Sequence, residues 1–328
     1  KAFHCGILID GIGDQSLSDA VVIIDDGVIQ RVGPREDIDV PDEAQYVDHS
    51  TDVVVPGLID AHVHIDGWRG FDQVAWIADG LPLATARAIS DLQNLLRNGF
   101  TAVRDVGSRT GIGLRQAVAE GTIDGPRIYT SDRWLSQTAG HADIHSLPYK
   151  WVTETDDWVG ILVDGADECR KEARKLVRKD VDLIKIMTTG GTISEKDSPD
   201  HRHMTDAEIA AITEEAHRVG IPVASHAVGA EGITAALRNG VDTIEHGAGL
   251  DETGIELMRE TDAIFVPTLA INKRWIEKGA EVGAPESSLA KVTDDDSRVE
   301  AVKRAYDAGV PIAAGSDFWG HKTLVPHG

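Results

Sequence analysis

From Val53 onward the chain alternates short apolar runs with longer amphipathic stretches. The first run, Val53 to Asp66, reads VVVPGLIDAHVHID, and is followed by a helical pattern over 83–97 that stops at Asn98-Gly99. FTAVRDVG (100–107), RIYTSD (127–132) and VDLIKIMTTGG (181–191) predict strands two to four. IPVASHAVG (221–229), DTIEHG (242–247), AIFVPTL (263–269) and VPIAAGSD (310–317) predict strands five to eight. Helices are expected over 113–120, 166–179, from a capping box at Thr205 to Glu208, around 235–239, and in a region closing near Gly309. Two loops are long, 133–164 and 192–204, and loops of that length in a compact domain tend to carry function.

Eight nearly continuous apolar strands separated by helices predict an α/β fold, a parallel (β/α)8 barrel over 53–328. A doubly wound open sheet is the alternative, but it calls for a glycine-rich phosphate loop after strand one, and GLIDAHVH is not one. Residues 1–52 differ: CGILIDG, AVVIIDDGVIQRVG and AQYVDHS alternate with period two, and Asp25-Asp26-Gly27 marks a hairpin. They predict a small antiparallel sheet, too short to be stable alone.

Composition narrows the setting. The 328 residues are 41% hydrophobic and 27% charged, as expected of a globular protein. Lys plus Arg number 32 against 55 Asp plus Glu, a net charge of −23 that would repel nucleic-acid phosphates and anionic membranes. Surface clusters such as Asp156-Asp157 and Asp294-Asp295-Asp296 suit adaptation to high salt, where screening relieves self-repulsion. Two cysteines, Cys5 and Cys169, make no disulfide framework, and a cytoplasmic location is expected.

Chemistry appears at the strand ends. His62 and His64 are one residue apart and share a face, which is half of a metal site. In a barrel the active site lies at the C-terminal ends of the strands. Those ends add Lys185, His226, His246 and Asp317. A lysine inside LIKIM is costly to bury without a purpose. Two divalent cations about 4 Å apart would repel by about 16 kcal/mol at an effective dielectric of 20, so they need bridging anions. A Lys185 amine carrying added carbon dioxide would be one, and metal-bound hydroxide another. Asp317 could then accept a proton and pass it to a leaving amine.

The segments GLIDAHVH, LIKIMTTGG, ASHAVGAEG, TIEHG and AAGSD, in that order, resemble the amidohydrolase superfamily in its carboxylated-lysine, binuclear branch. The resemblance implies two divalent ions, usually zinc. His62, His64, Lys185 and Asp317 would hold one; Lys185, His226 and His246 would hold the other. It also implies that the N-terminal strands join C-terminal ones in a small β-sandwich, and on that footing the chain is expected to be cut short after strand eight. TTGGTISEKDSPDHRHMT, EGITAALRNGVDTIEHG and the final PHG are most similar to Xaa-Pro and Xaa-Arg/Lys dipeptidases and their imidazolonepropionase-related neighbours. Imidazolonepropionases lack the bridging lysine, so Lys185 favours the dipeptidase side.

His141 in QTAGHADIH matches a loop histidine that faces substrate in these relatives, and is expected to be catalytic or substrate-binding. Met204 stands where relatives often carry a tyrosine that holds the substrate carboxylate; Arg202, with His201 and His203 beside it, could substitute, the alternative being that all three are solvated loop residues. Substrate choice is expected in the 133–164 loop and in Trp319 to His321. The expected function is hydrolysis of an amide bond in a dipeptide or N-acyl amino acid. Lactone, cyclic amide, carbamate or phosphotriester hydrolysis uses the same centre and stays open, as does a non-catalytic barrel used for binding. Expected partners are a small-molecule substrate and, as an open alternative, a second copy of the chain.

Overall fold

The computed structural model describes residues 1–156, 158–292 and 295–320. Asp157, Asp294, His321 and the closing Pro326-His327-Gly328 lie outside these. The chain forms two compact units, 1–58 and 59–328.

In the first unit, β1 (Ala2–Leu8), β2 (Leu17–Asp25), β3 (Val28–Pro34) and β4 (Tyr46–Val54) form one sheet in the order β3-β2-β1-β4. Asp26 and Gly27, both at positive φ, turn the β2–β3 hairpin where Asp-Gly predicts it. The sheet is mixed and not purely antiparallel as expected, because β1 pairs with β4 in parallel. The connection over 35–45 carries the chain from β3 across to the far side of β1, so that β4 runs in the same direction as β1, which local alternation cannot reveal.

The second unit runs from β5 (Leu58–Val63) through α1 (Gln73–Ala78), α2 (Gly80–Arg97), β6 (Phe100–Asp105), α3 (Gly111–Ala119), β7 (Arg127–Thr130) and β8 (Trp134–Ser136). It continues with α4 (Tyr149–Thr153), β9 (Gly160–Leu162), α5 (Ala166–Arg178), β10 (Ile184–Met187), α6 (Asp206–His217), β11 (Val223–Ala227) and α7 (Ala230–Arg238). Then come β12 (Thr243–His246), α8 (Glu252–Thr261), β13 (Ile264–Val266), α9 (Leu269–Lys278), α10 (Glu286–Leu289) and α11 (Asp295–Asp307). The strands make two parallel sheets, β5-β6-β7 and β13-β12-β11-β10-β8-β9. This is an α/β fold consistent with a TIM-barrel-like domain.

Hydrogen bonds link the two sheets. Asp182 N–H donates to Thr130 O at 2.9 Å, joining the start of the β10 segment to β7. The expected eighth strand forms no ladder among the described residues and is joined by isolated bridges, Ile312 to Phe265 on one side and, just past it, Phe318 to Val63 on the other. Ala61 N–H donates to Ala314 O at 2.8 Å. Gly315 lets this segment approach: a Cβ there would sit 2.8 Å from that of His62. Strand three is also broken. Asp132, at φ +55°, bends it, and the chain resumes as β8, so the 133–164 loop contains β8, α4 and β9.

The large core lies between the strands and α5 to α8, with Ile184, Ile186, Val223 and Ile244 packed on Leu176, Ile209, Ile212 and Leu237. Thr205 and Glu208 form the predicted capping box of α6. No helix among the described residues is long and apolar enough to cross a membrane.

Candidate active site

The strand ends bring His62, His64, Lys185, His226, His246 and Asp317 into the wall of one cavity, about 1020 Å³ with the solvent at its mouth included. Asp317 is pinned beside the first strand: its N–H donates to His62 O at 2.8 Å, and Asp60 bonds the neighbouring Ser316 backbone at 2.9 Å. Backbone strain collects at these ends. His246, Thr268 and Asp317 all have positive φ, a conformation costing about 1–3 kcal/mol each and common at functional sites.

Second contacts orient the imidazoles. His62 Nδ1 lies 2.6 Å from Glu245 Oε2, and His64 Nδ1 lies 2.9 Å from Gly107 O. A carboxylate and a carbonyl only accept, so both Nδ1 atoms carry hydrogen and both Nε2 atoms are left as lone pairs. Those two Nε2 atoms stand 3.5 and 3.4 Å from the same oxygen, Asp317 Oδ1. Among the described residues with buried atoms lacking a hydrogen-bond partner is His62 Nε2. Two nitrogen lone pairs facing one carboxylate oxygen repel each other unless a cation lies among them.

Electrostatics agree. Burial, then the charge of Lys185, holds His62 far below the usual histidine range. Burial likewise depresses His226 and His246, so all three stay neutral and able to donate lone pairs. Burial opposes ionisation of Asp317, and the charge of Lys185 beside it favours the carboxylate. Lys185, 1% exposed, is pulled down to about 8 by burial, with Glu245 and Asp317 pulling the other way.

The tightest group of ligand atoms joins His62, His246 and Asp317, all within 4.8 Å of one another. The sequence-based expectation divides these three between two ions. His226 Nε2–H donates to Gly190 O at 2.9 Å, which leaves Nδ1 as its ligand atom, and His246 Nδ1 is 2.8 Å from Thr268 Oγ1. The donor set (neutral nitrogens, a carboxylate, a buried amine) fits divalent metal ions.

His141 comes from the loop after β8 and stacks on His226, ring centroids 4.2 Å apart. Trp319 lines the cavity as well. Arg202 and His203 are not among the described lining residues: Arg202 pairs with Asp206 and approaches Glu231, and His203 is buried with its Nδ1 unbonded. Met204 packs into the large core.

Several residues at this end escaped the reading of the chain. Glu245 is fully buried, bonded by His62 and doubly by Arg104 at 2.7 and 2.8 Å. Their signal was present, Glu245 within TIEHG and Arg104 beside Asp105 in FTAVRD, charges in otherwise apolar runs. Arg298 of α11 and Asn272 of α9 are buried and line the cavity, yet sit in helical sequence with nothing local to mark them. Six of the seven tryptophans also line it: Trp68, Trp76, Trp134, Trp158, Trp275 and Trp319.

Comparison with known proteins gives the same assignment. The amidohydrolase family model matches residues 53–323. Ochratoxinase of Aspergillus niger is 33% identical over 333 positions, covering 96% of this chain and 68% of that one. Its crystal structure superposes with a TM-score of 0.88 at 32% identity, covering 98% and 77%. A prolidase solved with N-methylphosphonate-L-proline gives a TM-score of 0.90 at 34% identity, covering 98% and 79%. A Xaa-Pro dipeptidase with bound methionine in its active site gives 0.85 at 29%, covering 100% and 84%.

Proposed function

The chain belongs to the amidohydrolase family and is a hydrolase, and from that premise we propose that it cleaves the amide bond of an N-acyl amino acid or dipeptide in a metal-dependent reaction. The observation that carries the metal reading is the convergence of His62 Nε2 and His64 Nε2 on one oxygen of Asp317. In this reading His62, His64, Lys185 and Asp317 hold one divalent ion, and Lys185, His226 and His246 hold a second, with Lys185 carboxylated and zinc as the metal. The strands and the 310–317 segment make up a distorted (β/α)8 barrel, and residues 1–52 belong to a small β-sandwich. Two buried free cysteines favour the cytoplasm.

Bound divalent ions supply Lewis-acid polarisation of the amide and lower the pKa of water towards 7. The rest falls to side chains of the protein. Asp317, ionised at neutral pH, takes the proton of the attacking water and delivers it to the amide nitrogen as the C–N bond breaks. Glu245 and Gly107 keep His62 and His64 in the tautomer whose Nε2 is available. His141 contacts the substrate from the loop side.

Two wall features favour a substrate with one bulky apolar end and one anionic end. Six tryptophans supply rigid apolar surface. Arg298 supplies a buried guanidinium, close enough to His246 to depress its pKa further. Arg298 already interacts within the protein, and a substrate carboxylate would be a further partner for it. The names of the relatives, an ochratoxinase and prolidases, support a substrate of this class.

Metal analysis followed by a screen of N-acyl amino acids and dipeptides tests this. Turnover is expected to be highest with aromatic or large aliphatic acyl groups, and Lys185→Ala is expected to lose metal and activity together. Retention of both by Lys185→Ala would overturn the binuclear reading.

A further inference from the structure

Behind His141 lies a buried chain of polar groups that the reaction above does not use. His141 Nδ1 is 2.7 Å from Ser194 Oγ, and Ser194 Oγ in turn makes a short hydrogen bond with Asp197 Oδ1. Asp197 also accepts from Gly191 N–H at 3.2 Å and lies 3.4 Å from Lys291 Nζ, which donates to Ser194 O at 2.5 Å. Ser194 and Asp197 are 3% and 8% exposed, too enclosed for solvent to replace these bonds. Gly191 completes the clamp, since a Cβ at that position would collide with the His141 ring.

The direction of the bonds follows from donor count. Asp197 faces three donors, the Ser194 hydroxyl, the Gly191 N–H and the Lys291 ammonium, which together hold it as a carboxylate that accepts only. Ser194 has a single hydroxyl hydrogen, and Asp197 takes it. The Ser194 oxygen must therefore accept from His141, which puts the hydrogen on Nδ1. We propose that Ser194 and Asp197, anchored by Lys291, are positioning residues that lock His141 in its Nδ1–H form, leaving Nε2 as a hydrogen-bond acceptor for the N–H of a bound amide. The last clause rests on the reading of His141 as a substrate contact; the tautomer itself does not.

Long-range ¹H–¹⁵N spectra of histidine-labelled protein, as isolated and after zinc addition, read the tautomer without substrate. His141 is assigned by its loss in His141→Asn. Wild type is expected to show Nδ1–H, whereas Ser194→Ala and Asp197→Asn shift the ring towards Nε2–H. The same variants are expected to lower kcat about 10–100-fold, the usual size of an orienting contact, and Ser194→Thr, which keeps the hydroxyl, is expected to restore both tautomer and rate. In a His141→Asn background, Ser194→Ala should cost less than about twofold, because the positioned ring is gone. An Nε2–H wild-type spectrum overturns the proposal whether or not any variant folds. So does an unmoved tautomer in both variants, or an undiminished Ser194→Ala penalty without His141. A normal tautomer shift with no hydrolysis of any amide would leave the lock standing and remove the substrate reading instead.

Discussion

The two faces of β10 to β12 carry opposite physics within the same few residues. Ile184 and Ile186 point to the helices and join the large core; Lys185 between them points to the cavity. In β12, Ile244 packs on helices while Glu245 faces His62. Burying each isoleucine contributes roughly 1.5–3 kcal/mol. Burying Lys185 costs about 3 kcal/mol, from a pKa drawn down to about 8. One face stabilises the fold, and the other is held in an unfavourable state by it. Period-two alternation separates the two faces so that each can be optimised independently.

That contrast can be broken from either side. Ile186→Ala should have the largest effect on stability, about 2–5 kcal/mol, seen as a drop in the denaturant midpoint. The folded fraction should keep its metal content, and loss of metal by folded protein would mean that the faces are not separable. Glu245→Gln is the mirror case. The amide keeps the size of the side chain but loses the charge that Arg104 and His62 share, and metal affinity or kcat should fall about 10–100-fold. An unchanged affinity and rate would show that Glu245 does not orient His62.

The smallest expected effect lies far from the cavity, between α5 and α6. Hydrogen bonding from Arg174, and with it Arg170, holds Glu215 at about 2. A carboxyl depressed on folding binds fewer protons folded than unfolded, so its contribution is present above the unfolded pKa near 4.5 and lost as pH falls towards 2. Glu215→Gln should therefore lower Tm slightly at pH 7, with the gap to wild type closing between about pH 5 and pH 2. A gap independent of pH would assign the loss to packing.

Much of this protein was legible before any coordinates. Apolar runs at regular spacing marked the strands, because a buried parallel strand must be apolar on both faces. Exceptions to that rule, His62, Lys185 and Asp317 among them, marked the site, because polar groups in such runs are costly unless they serve a purpose. The tertiary structure decided the rest. Parallel pairing of β1 with β4, the bend at Asp132 and the near absence of ladder in 310–317 depend on contacts between distant segments. Arg298 and Ser194 carry no local signal, since a helix surface and a polar loop are ordinary places for arginine and serine. Periodicity reports which way a side chain points along its own element, whereas what it meets there is set by segments up to hundreds of residues away, as Glu245 meets His62.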